Sequence, residues 1–277
     1  MRKGRLTMSD EELLEDDEKL PFTGHLEELR ARLIRCFIAI IIGTGGAYAY
    51  KEKLFDILKK PLIAAMPESG TLIYTGLTEA FFTYLKVALL AGLFLAAPVI
   101  VFEFWMFVTP GLYKKERLML APVILLTLVF FVGGALFGYF VVFPWGFPFL
   151  LSFQSEAIQA LPSMKDYLSL ASKLLIAFGV VFELPIILTC MAAIGLVTPA
   201  FLRKNRKYAL VLFFIGGAIL TPPDVVTQVM MAVPLIILYE ISILGAVVFG
   251  KKPLKFDDDE EDTEDGDEST DVPESSE

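Results

Sequence analysis

The chain has 277 residues, 55% of them hydrophobic, with a mean hydropathy of +0.62 and a formal net charge of −9; that apolar excess goes well beyond the core of a soluble domain of this length. A single histidine and two cysteines without a CxxC pair exclude a multi-histidine metal site, and no GxxxxGK[ST] run is present for nucleotide hydrolysis. Charge is unevenly placed: residues 257–277 hold 13 acidic side chains and no basic one, which leaves +4 on the rest.

The apolar residues gather into runs of about 20 with almost no charge, the length an α-helix needs to cross a hydrocarbon core of roughly 30 Å. A membrane β-barrel would instead show alternating segments of about 10 residues. The expected fold is therefore an all-α integral membrane protein with six transmembrane helices. Residues 1–20 read as a flexible acidic tail and 21–255 as the membrane domain. Residues 256–277 read as a disordered acidic tail, because a like-charged run without large apolar groups cannot bury enough surface to fold.

A basic amphipathic lead-in, His25 to Arg35, introduces the first predicted span at about 33–50. The connection after it carries a short amphipathic piece, Lys53 to Lys59, followed by Pro61 and Pro67. The second span covers about 77–108, with Lys86 and Glu103 towards opposite ends and Pro98 inside. The third covers about 118–143 and is expected to stop at Pro144. The fourth, about 170–194, contains Glu183 followed by Pro185, which should kink the helix there. The fifth run, 208–220, has only 13 residues, or roughly 20 Å at 1.5 Å per residue. Thr221-Pro222-Pro223-Asp224 joins it to the sixth span at about 225–249. So tight a turn makes an antiparallel hairpin, so the fifth helix is expected to span despite its length. Cys36 and Cys190 lie within apolar runs and read as buried thiols.

Lysine and arginine set the orientation. The N-terminal segment, the second and fourth connections and the C-terminal side together hold 17, against six on the opposite face. Both termini are therefore expected in the cytoplasm, with connections 51–76 and 144–169 forming compact outer caps.

Carboxylates at membrane depth cost a few kcal/mol on insertion scales and invite a functional reading. Glu183 is the deepest: it either bonds to a neighbouring helix or docks a partner's polar group. Glu103 lies near the cytoplasmic end of its span and reads as structural, and Glu240 as a bond across the bundle. Asp224 reads as the cap of the last helix, and Gly134 to Gly138 as a GxxxG packing signal. Glu28 and Glu116 fall at the cytoplasmic surface among Arg30, Arg32, Lys114, Lys115 and Arg117. On charge alone they are ordinary surface ion pairs; the alternative is a pair of carboxylates presented to a ligand's arginines, whose planar fork suits them.

The run His25-Leu26-Glu27-Glu28-Leu29-Arg30-Ala31-Arg32-Leu33 resembles the HLxELRxRL opening of the TatC family, the polytopic core of the twin-arginine protein translocase. The likeness continues through Ala97-Pro98-Val99-Ile100, Pro110 to Arg117, Phe178 to Pro185 and Leu220 to Asp224, in family order. It implies a six-span receptor of a bacterial inner membrane, with no cofactor and no nucleic acid partner. Such a receptor binds the twin-arginine signal peptide of folded cargo. It assembles with single-span TatA- and TatB-like proteins into a multimeric complex in membrane lipid, driven by the proton-motive force. By the same resemblance Glu28 and Glu116 hold the arginine pair, with Leu29, Arg30 and Phe107 in the same patch. Glu183, Thr221 and Gln228 face partner helices or the inserted signal, and Pro61 belongs to the outer cap. The rival from another class is a proton-coupled secondary transporter with Glu103, Glu183 and Glu240 as its relay; the internal repeat common in such proteins is not visible here.

Overall fold

The computed structural model describes residues 8–67, 70–108, 120–154, 160–220 and 224–250. Ten α-helices run through them: α1 (Met8–Tyr48), α2 (Lys51–Ala65), α3 (Glu79–Val108), α4 (Leu120–Phe137), α5 (Phe143–Leu151), α6 (Met164–Val181), α7 (Leu184–Ala193), α8 (Pro199–Lys204), α9 (Arg206–Leu220) and α10 (Val225–Phe249). A π-helical stretch, Gly138–Val142, joins α4 to α5. Five segments are long and apolar enough to cross a membrane: Leu26–Tyr48, Glu79–Val108, Ala121–Leu151, Met164–Ala193 and Val225–Phe249. Helix α9, with 15 residues, rises about 22 Å and falls short of them. Residues 1–7 and 251–277 lie outside the described residues, as do Glu116 and the Thr221-Pro222-Pro223 part of the last turn.

Three boundaries differ from the sequence expectation. Helix α1 opens at Met8, ahead of the predicted start of the first span, and takes in residues 8–20; four Glu and three Leu there are good helix formers. Helix α2 runs straight through Pro61 to Ala65. The third span does not stop at Pro144 but continues to Leu151. There the π-helical turn widens the backbone, the Phe143 N–H reaching the Gly138 carbonyl five residues back. Pro144 then falls in the first turn of α5, where a missing N–H costs little.

Pro61 has its own compensation. An interior proline orphans the carbonyl four residues earlier, which is Ile57, and the Tyr139 hydroxyl donates to that carbonyl at 2.6 Å. The Tyr167 hydroxyl likewise donates to Leu58 next to it. Two tyrosines from the π-helical stretch and α6 thus hold α2 over the bundle. A Pro61→Ala change restores the backbone donor, so the two positions should couple. Tyr139→Phe is expected to cost about 1 kcal/mol in the natural chain and close to nothing in the Pro61→Ala background, read from a double-mutant cycle in detergent. Equal costs in both backgrounds would break the link.

The core sits where α2, α5, α6 and α10 meet, and Leu168, Phe143, Phe178, Met231 and Ile243 are fully buried there. Phe143, Phe147 and Tyr167 form a row of rings with centroids 4.9 and 5.4 Å apart. Helices α1 and α3 touch backbone to backbone. A Cβ on Gly43 would lie 2.7 Å from the Gly92 carbonyl oxygen, and one on Gly92 2.4 Å from the Thr44 hydroxyl. Large apolar groups elsewhere on α1, among them Phe37, Ile38, Ile41 and Ile42, stay exposed, as a lipid-facing helix requires. Cys36 and Cys190 are free thiols and only half-buried.

The fourth span breaks as expected: α6 ends at Val181, Phe182 and Glu183 form a turn, and α7 starts with Pro185 in its first turn. Gly195, at φ 82°, turns the chain out of α7, a left-handed conformation that costs any other residue about 1 kcal/mol. Asp224 caps α10 as expected, accepting from the Thr227 N–H at 2.7 Å and from its hydroxyl. The α9–α10 pair is closed by Arg206, whose Nη2 meets Glu240 Oε2 at 2.7 Å.

The two connections expected on the outer face join through a single parallel bridge, Ile73 to Ser163. Glu79, at the start of α3 and buried, binds both. Its Oε2 accepts from the Thr75 N–H (2.8 Å), the Thr75 hydroxyl (3.2 Å) and the Gly76 N–H (3.2 Å). Its Oε1 accepts from the Ser163 hydroxyl (3.0 Å) and the Lys165 N–H (3.1 Å).

Candidate functional site

Helices α1 and α3 are antiparallel, since residue 43 meets residue 92 while residue 32 meets residue 103. That register sets the Glu28 end of α1 beside the Val108 end of α3, where the chain enters the segment that carries Glu116. Glu28 is half-buried, Leu29 and Arg30 are exposed, and Phe107 is half-buried. Glu28, Leu29, Arg30 and Phe107 therefore lie at the same end of the α1–α3 pair; Glu116 lies outside the described residues.

Between them runs a network that the sequence reading left out. Arg32, one helical turn after Glu28, donates from Nε to Glu28 Oε1 at 3.1 Å and places Nη2 on the same oxygen. Its Nη1 donates to Glu103 Oε2 at 3.0 Å, and Arg35 Nη1 takes Glu103 Oε1 at 2.6 Å. Glu103 is buried, with both oxygens held by α1. Its charge at this depth is tolerable because two guanidiniums neutralise it; the structural role expected for Glu103 is what its contacts describe. The i, i+4 spacing of Glu28 and Arg32 was the available signal, but the reach to Glu103 depends on helix pairing.

A second polar locus lies deeper. Glu183 sits at the α6–α7 break, half-buried beside the Thr127 hydroxyl of α4. Trp105, two residues beyond Glu103 on α3, donates Nε1 to that hydroxyl at 2.9 Å. Glu183 Oε1 is shielded from solvent and has no hydrogen-bond partner among the described residues. An unmatched oxygen of this kind carries a penalty that a donor from outside would remove. Gln228 is committed internally, its amide donating to the Phe214 carbonyl of α9 at 2.9 Å; Thr221 is outside the described residues. Of the three carboxylates proposed for a proton relay, Glu103 and Glu240 are each ion-paired to arginine, whereas Glu183 has the Thr127 hydroxyl and no ion pair among the described residues.

Comparison with known proteins shows the family. The model of the family described as Sec-independent protein translocase protein (TatC) matches residues 24–234. A protein of that name from Desulforapulum autotrophicum is 62% identical over 256 residues, 92% of this chain and 94% of its own length. One from Escherichia coli is 38% identical over 227 residues, 82% of this chain and 88% of its own. A crystal structure described as the twin arginine translocase receptor TatC superposes with a TM-score of 0.74 at 42% identity, over 81% of this chain and 98% of that one. The chain belongs to the TatC family, as a multi-pass, non-enzymatic component of the Sec-independent protein translocase.

Proposed function

We propose that this chain is the signal-peptide receptor of a twin-arginine translocase in a bacterial inner membrane, with six spans and both termini in the cytoplasm. The observation that carries the reading is the position of Glu28. It is a partly exposed carboxylate at one end of the bundle, framed by exposed Leu29 and Arg30 and by the Phe107 end of α3. Glu28 and Glu116 would each take one arginine of the signal, every such charge-assisted contact contributing about 1.5–3 kcal/mol. A lysine keeps the charge but loses the fork, which favours Arg-Arg over Lys-Lys.

The fifth span of this reading is α9, the one outside the five long apolar segments. It is about 8 Å shorter than a typical hydrocarbon core, so the bilayer thins locally or α9 leans on α10, to which Phe213–Tyr239 and Arg206–Glu240 fasten it. The bound signal's apolar stretch, or a TatA- or TatB-like helix, would meet Glu183, whose unmatched oxygen accepts a partner's donor. By the family resemblance, Thr221 and Gln228 would take part in docking that partner helix.

Export of a folded reporter with an Arg-Arg signal, in cells lacking their own TatC and complemented with this chain and its partners, tests the scheme. Glu28→Ala is expected to stop export, and Glu183→Ala to reduce it at unchanged protein level. Undiminished export by the Glu28→Ala, Glu116→Ala double variant would end the receptor reading, and normal export by Glu183→Ala would remove Glu183 from it.

A further inference from the structure

Arg32 already holds one oxygen of Glu28, the carboxylate with which an incoming guanidinium would pair. It approaches Glu28 with two of its nitrogens, Nε at 3.1 Å, and keeps its third on Glu103 at 3.0 Å. The Arg32 side chain is only 12% exposed, whereas that of Glu28 is 36% exposed. Glu28 is thus open to solvent on one side and held by an internal arginine on the other. With Arg35 on the remaining Glu103 oxygen, Glu103 is held by two guanidiniums.

A ligand arginine arriving at Glu28 competes with Arg32 for Glu28 Oε1. Arg32 need not leave the site: it already holds Glu103, which can keep it when Glu28 changes partner. Tethered one turn away, Arg32 competes at a high effective concentration, so only a ligand that pairs well displaces it. A forked guanidinium does so more effectively than an ammonium, which offers a point charge without the planar fork. We infer that Arg32 is an internal placeholder on Glu28, exchanged for the ligand's arginine and received by Glu103, and that this exchange sharpens the choice of Arg-Arg over Lys-Lys. The inference rests on Glu28 being the ligand carboxylate, as proposed above.

The test is the affinity of synthetic Arg-Arg and Lys-Lys signal peptides for the full chain in phosphatidylcholine nanodiscs at fixed salt, by microscale thermophoresis. Arg32→Gln is expected to tighten binding about three- to tenfold, more for Lys-Lys than for Arg-Arg, so the preference narrows. Arg32→Lys, which keeps the charge but not the fork, should fall between. Glu103→Gln is expected to weaken Arg-Arg binding about two- to fivefold, because Arg32 is then confined to Glu28. Unchanged affinities in all three, with binding lost in Glu28→Ala, would overturn the placeholder and leave the receptor standing. Weaker binding by Arg32→Gln at an unchanged melting temperature would also overturn it, since Arg32 would then be helping the ligand. If Glu28→Ala bound as well as the natural chain, the receptor reading would fail and the placeholder with it.

Discussion

Gly134→Leu is expected to force α4 away from α6 and lower the melting temperature in mild detergent by about 6–12 °C, from an over-packing cost near 3 kcal/mol. A Cβ on Gly134 would lie 2.4 Å from the Phe178 carbonyl oxygen and 2.8 Å from the Phe182 Cβ and Cγ. The first of these is backbone, so no rotamer change relieves it. Two more glycines share the seam: a Cβ on Gly138 would sit 3.1 Å from Phe178 Cδ2, and one on Gly179 2.9 Å from Phe131 Cε2. Close approach of small residues is what holds membrane helices together where lipid and side chains are equally apolar. The neighbouring Gly133 has nothing within 4 Å of its Cβ position, so Gly133→Ala should be neutral or raise stability by up to ~1 kcal/mol through helix propensity. Equal tolerance of both substitutions would contradict the packing described here.

Glu79→Ala should release the cap formed by the connections around Ile73 and Ser163. One carboxylate accepts five hydrogen bonds there, three from backbone N–H groups of Thr75, Gly76 and Lys165. Alanine leaves those donors without their acceptor in a partly buried place, and the Ile73–Ser163 bridge loses its reinforcement. Amide exchange at Thr75, Gly76 and Lys165 is expected to quicken about tenfold or more, while α10 amides stay unchanged. Glu79→Gln should give an intermediate rate, because its amide keeps one acceptor oxygen but turns a donor towards the others. Unaltered exchange in Glu79→Ala would show that the bridge closes this end without the carboxylate.

The sequence announces some of these features and hides others for physical reasons. Long uncharged runs revealed the spans because a bilayer demands about 20 apolar residues whatever the tertiary structure. The break at Glu183 was legible because Pro185 acts on its own helix, and the Asp224 cap because capping is local. Pro144 and Pro61 misled for the opposite reason. The π-helical stretch and the Tyr139 hydroxyl, which absorb those prolines, are 82 residues from Ile57 in one case and visible only in three dimensions in both. Glu79 gave no sign of its importance, since the partners that make it a hub, Ser163 and Lys165, are 84 and 86 residues away. Around Glu28 the motif residues were legible as a string. That Arg32 links Glu28 to Glu103 required the antiparallel pairing of α1 with α3, which the string does not contain.

Binding of a twin-arginine signal peptide to the purified full chain, measured beside its Lys-Lys version and the Glu28→Ala, Glu116→Ala double variant, decides whether these carboxylates form the receptor site. The natural chain should bind the Arg-Arg peptide, and binding should fall at least about tenfold in either control, the equivalent of one charge-assisted contact. Equal binding in all combinations would make both carboxylates ordinary surface charges and contradict the receptor reading.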